Sequence, residues 1–410
     1  MSGSIAINER RLLDSLDAYA QVGAITGGGV TRLALSDEDM AVRDRLAADL
    51  AAIDCPVVVD DLGNMTGTLA GINDGPPVRI ASHLDTVVGG GRFDGALGVL
   101  ASLEVLHTVR DLGWAPKRSQ ALTNWTNEEG ARFEPAMLGS GAALGVFDPA
   151  WMHERRDGQG CRLGDELTRI GYLGEARHRP LNAFAAIELH VEQGPVLDDA
   201  DEPIGVVAGI VGITWIDVVV TGVSAHAGPT PMSLRRDAMV GAGEVIALAH
   251  AIVSQGGSPR VSTIGRCEVE PNVINTIPGR VRLGIDFRAG SDHELDAMET
   301  ALREGAASIA NRHQLGIELD RFWTSSTVRF DPLVQSAIQR ACNAVGASTR
   351  DVWSGAGHDS RYTADRYPTG MIFVRSRGGV SHTERELSIP MDVCLGANVL
   401  LQAVLDLANA

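Results

Sequence analysis

With 410 residues, 44% of them hydrophobic and 21% charged, the chain can bury a large core, and its length favours two domains over one. Asp and Glu number 52 against 35 Lys and Arg, a formal charge of -17. That balance excludes a broad polyanion-binding surface, which needs clustered cations, so nucleic acid is not an expected partner.

The first residues, MSGSIAINERRLLDSLDAYAQ, lack a basic start followed by an apolar stretch, and no uninterrupted apolar run reaches membrane-spanning length. A cytoplasmic protein without membrane contact is expected. From Ser36, SDEDMAVRDRLAADLAAID reads as a capped helix, with Asp39 three residues after the Ser. Short apolar runs at 56–60, 78–83, 121–127 and 183–190 are bounded by turn residues or helical pattern. They predict buried strands alternating with helices in an α/β layer architecture. The pattern changes near Gly212. TWIDVVVTG reads as a strand, Ala238, Ala242, Val245, Ala249 and Ile252 share a helical face, and VSTIGRCE and RVRLGIDFR follow as strands. Leu295, Met298, Leu302 and Ile309 form a second helical face before GIELDRFW. This β-α-β-β-α-β order is that of the ferredoxin-like split βαβ unit. After Asp331 come a helix, the strand TGMIFVR and a final helix. The expected arrangement is a discontinuous large domain, 1–211 with 326–410, into which a small domain, 212–325, is inserted.

Three of the 11 His sit in polar, turn-bounded strings with carboxylates nearby: His83 in ASHLDT, His190 in ELHVEQG and His382 in GGVSHTERE. Asp94 lies among glycines at a helix start, and Glu128 and Glu129 follow a strand directly. Imidazoles and carboxylates are what a pair of borderline divalent ions needs, with one carboxylate able to bridge them. The five Cys (Cys55, Cys161, Cys267, Cys342 and Cys394) are scattered with no C-x-x-C spacing, so no thiolate site or disulfide framework is expected. Asp85, two residues beyond His83 on an extended strand, shares its side and is expected to hold the imidazole tautomer. A lone His at a strand end is more often structural, and adjacent glutamates are usually a solvated pair; the strings around them improve those odds.

Taken in order, SHLDTV, GGRFDGALGVL, NEEGARF, ELHVEQGPVL, SAHAGPTPM, PNVINTIPG, DFR, SGAGHDS and GGVSHTE resemble the N-carbamoyl-L-amino acid hydrolases, β-ureidopropionases and allantoate amidohydrolases, the carbamoylase branch of the M20 metallopeptidase superfamily. The resemblance runs over nearly the whole chain. It implies a metallopeptidase-like catalytic domain, its mixed sheet flanked by helices, with an inserted ferredoxin-like dimerisation domain. It also implies two divalent ions per subunit (Zn, Mn, Co or Ni), with Asp94 bridging, His83 and His190 completing one site, and Glu129 and His382 the other. Glu128 is implied as the general base on a shared water and Asp85 as the orienter of His83. His226, from the inserted domain, is implied as an oxyanion donor acting across a homodimer.

Arg288 and Asn275 resemble the residues that bind the substrate's α-carboxylate; a guanidinium offers bidentate pairing to such a group. Gln193 and Asn272 resemble further substrate contacts. His358 and Asp359 could line the cleft or form a structural hydrogen-bonded pair. Where M20 peptidases carry a carboxylate, this chain has His190, which favours small ureido substrates over peptides. The expected reaction is hydrolysis of an N-carbamoyl-L-amino acid to the amino acid, ammonia and carbon dioxide. The alternatives are N-carbamoyl-β-alanine or allantoate and, more distantly, a dipeptide or acylamino acid. The run MSLRRDA is read as a helix start with solvated charges.

Overall fold

The computed structural model describes residues 5–113, 115–254 and 259–410. The chain divides into two compact units, Met1–Ala208 with Arg329–Ala410, and Gly209–Val328. The breaks fall at 208/209 and 328/329, where the sequence placed them at 211/212 and 325/326.

In chain order the strands are β1 (Val57–Val59), β2 (Met65–Leu69), β3 (Val78–His83), β4 (Gln120–Trp125), β5 (Ala185–Val191) and β6 (Ile204–Ile210). The middle of the chain adds β7 (Gly212–Thr221), β8 (Ala225–His226), β9 (Arg260–Glu270), β10 (Thr276–Ile277), β11 (Arg280–Ala289) and β12 (Gly316–Ser325). The returning segment adds β13 (Val328–Arg329), β14 (Thr349–Ser354) and β15 (Thr369–Val374).

The large unit is built on a mixed sheet of order β1-β2-β4-β3-β5-β15-β6-β13, with β14 also paired to β6. Its centre is parallel: β3 runs parallel to β4 and β5, and β15 parallel to β5. These strands lack an in-and-out alternation because both faces are covered, and β3, β4, β5 and β15 are buried throughout. The 56–60 run departs from expectation. It yields only the three residues of β1 at the sheet edge, where Val57 and Val59 pack half-buried against the core and Val58 is exposed. Strands β2, β6 and β14 had no clear pattern in the sequence, since MTGTL and IGVVAGI carry glycines and no strict alternation.

The helix Asp37–Ala51 starts as expected, the Ser36 hydroxyl accepting from the Asp39 N–H. Helix Ala96–Asp111 is apolar nearly all round, and its residues from Ala96 to Leu106 are all buried, which marks a core helix. Helix Pro390–Asn409 is long and on average apolar enough to cross a membrane, although Asp392, Asn398, Gln402 and Asp406 interrupt its apolar residues. In this fold 72% of its most apolar stretch is buried inside the protein, where it packs on the Pro332–Val345 helix and on the core.

The small unit has the β-α-β-β-α-β order, with helices Ala238–Ser254 and Asp292–His313 and an antiparallel sheet of order β12-β7-β11-β9. Val281, Leu283, Ile285 and Phe287 of β11 are buried in a core with Ala238, Ala242, Val245, Ala249, Leu295, Met298, Leu302 and Ile309. Arg280, Arg282, Asp286 and Arg288 alternate with them on the other face, as the period of two requires.

Candidate active site

The candidate residues of the large unit converge beyond the carboxyl ends of the parallel strands, the expected place for a site in an open α/β sheet. His83 ends β3 and is in register with Trp125 of β4, so Glu128 and Glu129 leave the sheet beside it. His190, near the end of β5, is in register with Phe373 of β15, whose exit leads to His382. Asp94 stands just before the Ala96–Asp111 helix, where the N-terminal end of the helix dipole favours an anion.

Three imidazoles present Nε2 to this one carboxylate. Asp94 Oδ1 lies 3.8 Å from His83 Nε2 and 3.2 Å from His190 Nε2, and Oδ2 lies 3.3 Å from His382 Nε2. Glu129 Oε2 is 3.4 Å from His382 Nε2, and Glu128 Oε2 is 3.6 Å from His83 Nε2. The tautomers follow from what the other ring nitrogen does. His83 Nδ1–H donates to the Asp85 carbonyl at 2.9 Å, and His190 Nδ1–H to the Val191 carbonyl at 3.0 Å.

Asp85 therefore orients His83 through its backbone. Its carboxylate oxygen is 3.9 Å from Nδ1, too far for a hydrogen bond. The strand ends at His83, and beyond it the Asp85 side chain turns to accept the backbone N–H groups of Glu128 and Glu129, each at 3.2 Å. One residue thus fixes a histidine and a glutamate pair at once.

Gly95 completes the corner. Its φ is +63°, and a Cβ there would lie 2.3 Å from His83 Cε1, so only glycine permits both the turn and the close approach.

The site is rich in carboxylates, and all of its groups but His382 are largely buried. Burial, then Asp359 and Glu129, push the Glu128 carboxyl well above its ordinary range. Burial and Asp94 do the same to Glu129. Burial lowers His83 to about 4. At His190 burial opposes charge, but the hydrogen bond and attraction of Asp94 outweigh it and raise the group to about 9. Glu129 Oε1 is buried without a hydrogen-bond partner. Two sets of potential ligand atoms, His83, Asp94 and His190, and Asp94, Glu129 and His382, each lie within 4.8 Å of one another and share Asp94. Imidazole and carboxylate donors around uncompensated negative charge fit divalent cations.

Gln193, at φ +60°, donates from Nε2 to Asp94 Oδ2 at 2.9 Å and lies 3.4 Å from His382 Nε2. His358 and Asp359 do not pair with each other. His358 Nε2 is 3.0 Å from Ser354 Oγ with its ring edge-on to His190, while Asp359 accepts from the Ser140 hydroxyl.

In the small unit, β8 pairs with β10, setting His226 opposite Thr276 and joining the loops that carry His226, Asn272 and Asn275, all three exposed. The Ala227 N–H donates to the Asn275 carbonyl at 3.0 Å. Arg288 is half-buried on β11, where Nη2 donates to Asp286 Oδ2 at 2.8 Å.

The model of Peptidase family M20/M25/M40 matches residues 79–406. The chain belongs to this family. It is 37% identical over 404 residues, 98% of this chain and 97% of the relative, to the N-carbamoyl-L-amino-acid amidohydrolase of Rhizobium meliloti. It is 32% identical over 405 residues, 97% of each chain, to the allantoate amidohydrolase of Bacillus subtilis (strain 168). Among solved structures, an amidase of the hydantoinase/carbamoylase family from Burkholderia multivorans superposes with a TM-score of 0.95 at 43% identity, covering 100% of both chains.

Two residues of this M20 chain escaped the sequence reading. Glu386 lay within the GGVSHTERE string but had no role there; it accepts the N–H groups of Phe93 and Asp94. Arg235, taken for a solvated charge, donates to the carbonyls of Thr230 at 3.1 Å and Ala227 at 2.6 Å and closes the His226 loop. No spacing rule announces such contacts, because their partners are backbone atoms brought up by the fold.

Proposed function

We propose that this protein hydrolyses the ureido C–N bond of N-carbamoyl-L-amino acids with two divalent ions per subunit. The protein is a hydrolase acting on amides, as its family and its amidohydrolase relatives show. The observation that carries the finer reading is the single buried carboxylate, Asp94, facing three imidazole Nε2 atoms beside the Glu128–Glu129 pair.

In this reading His83, Asp94 and His190 would hold one ion, and Asp94, Glu129 and His382 would hold the other. Zn, Mn, Co and Ni all suit such donors. Bound there, the ions would polarise the carbonyl and acidify a water. Glu128 takes the proton of that water and returns it to the departing nitrogen. Its buried position, with a raised proton affinity, suits a group that must hold a proton between the two steps. Water adds to the carbamoyl carbon, the C–N bond breaks, and the amino acid leaves while the carbamate decomposes to ammonia and carbon dioxide. Arg288 and Asn275 bind the substrate carboxylate, Gln193 and Asn272 contact the substrate, and His226 donates to the oxyanion from the other subunit of a homodimer. A cytoplasmic location belongs to the same reading.

Allantoate is the second reading, supported by the 32% identity to the Bacillus subtilis enzyme; N-carbamoyl-β-alanine carries the same two groups. The deciding experiment strips the enzyme with chelator, restores Zn, Mn or Co, and assays N-carbamoyl-L-amino acids, N-carbamoyl-β-alanine, allantoate and dipeptides. Metal-dependent turnover of the N-carbamoyl-L-amino acids is expected. Turnover of allantoate alone would replace the substrate, and turnover of dipeptides alone would remove the ureido reading.

A further inference from the structure

Glu386 is 5% exposed and has committed both of its oxygens. Oε1 accepts the backbone N–H groups of Phe93 and Asp94, each at 3.0 Å, and Oε2 accepts the Ser381 hydroxyl at 2.7 Å. Ser381 Oγ also lies 3.3 Å from Asp94 Oδ2. With its oxygens so used, Glu386 belongs to none of the sets of groups placed to hold an ion among the described residues. It joins two segments that lie 292 residues apart in sequence.

One of those segments needs such a tether. His382 is half exposed at φ +56°, in a stretch between β15 and the Pro390–Asn409 helix that contains only one short helical turn, Arg377–Gly379. A lone imidazole in such a stretch would lose much of its effective concentration to chain motion. Gly91 makes room for the tether, since a Cβ there would fall 2.1 Å from Glu386 Oε1.

We infer that Glu386 is a positioning residue that holds Asp94 and the His382 turn in one geometry, and so sets the affinity of the ion bound by Asp94, Glu129 and His382. This rests on the metal reading of the site given above. Groups that orient metal ligands typically account for about 10–100-fold in affinity.

The test uses the full chain, stripped with chelator and titrated with Co(II) alone, followed by calorimetry and by the visible absorption of the bound cobalt, with no substrate present. The unaltered protein is expected to take up two ions. Glu386→Ala is expected to weaken one of them about 10–100-fold while the other changes far less. Glu386→Gln keeps an acceptor for the two N–H groups and restores most of the loss. Ser381→Ala weakens the same ion to a smaller extent, and the double variant is no weaker than Glu386→Ala alone, as residues acting through one contact require. Two ions held by Glu386→Ala as tightly as by the unaltered protein would overturn the inference, as would Glu386→Gln binding no better than the alanine variant. If Glu386→Ala fails to fold by circular dichroism of the stripped protein, Ser381→Ala and Glu386→Gln decide, and wild-type affinities in Ser381→Ala would overturn it. An unaltered protein that takes up no cobalt would remove the metal reading itself, a failure distinct from unchanged affinities in the variants.

Discussion

At the ends of β3 and β4, His83, Asp85, Glu128 and Glu129 have side chains only 1–8% exposed, and the backbone helps to hold them through the Asp85 carbonyl and the N–H groups of Glu128 and Glu129. On β11, Arg282 and Arg288 are 37% and 31% exposed, and each pairs with a side-chain carboxylate, Asp217 and Asp286. The first arrangement cannot relax without moving strands, which is what reacting groups need if they are to meet charge without reorganisation. The second can exchange one carboxylate partner for another at little cost, which suits recognition. In the proposed reading, chemistry and capture therefore fall to environments of opposite stiffness.

Substitutions can break this contrast, beginning where the effect is largest. Glu128→Gln is expected to lower turnover of N-carbamoyl substrates by about 10²–10⁴-fold while metal content by elemental analysis stays the same; unaltered turnover would remove Glu128 as the base. Asp85 provides a pH test in chelated protein. Burial, then Asp39, raise its carboxyl from 3.8 to about 7. Because the folded value is the higher one, the associated stability is present below the unfolded value and is lost as pH rises through about 7. Wild type is therefore expected to lose a few kcal/mol relative to Asp85→Asn between these limits in urea titrations, and parallel curves would refute the shift.

Gly95→Ala is expected to cost about 1–3 kcal/mol through its positive φ alone, and more as the His83 ring is displaced; denaturant midpoints measure it, and cobalt titration should show weaker binding. Arg288→Lys gives up a planar fork and is expected to raise KM by about tenfold with a smaller change in kcat. Steady-state kinetics on N-carbamoyl amino acids checks this, and an unchanged KM would remove Arg288 from substrate binding. Arg282→Ala, on the same strand face, should leave both the denaturant midpoint and KM nearly unchanged.

Much of the chain could be read before it was folded. Strand β3 coincides with the VRIASH run, Ser36 caps the helix it was expected to cap, and the alternation of RVRLGIDFRA separates the buried from the exposed face of β11. These features depend on nearest neighbours and on a period of two or 3.6, which a linear string preserves. The ligand residues stood out because His and carboxylates in glycine-rich strings between apolar runs are chemically conspicuous. Strands β2, β6 and β14 were hidden because their pairing partners, and not their own periodicity, make them strands.

What the amino-acid order determined by itself was the class of elements, the two-unit plan and the kinds of donor available to an ion. Tertiary structure alone decided how those donors are aimed. It turned the Asp85 carboxylate from His83 to the Glu128 and Glu129 N–H groups, and it sent Arg235 to the carbonyls of the His226 loop. It also brought Glu386 to Asp94 across 292 residues. The reason is common to all three: each bond is to a backbone atom or a distant segment, whose position is set by packing the whole sheet and its helices and by nothing in the local sequence.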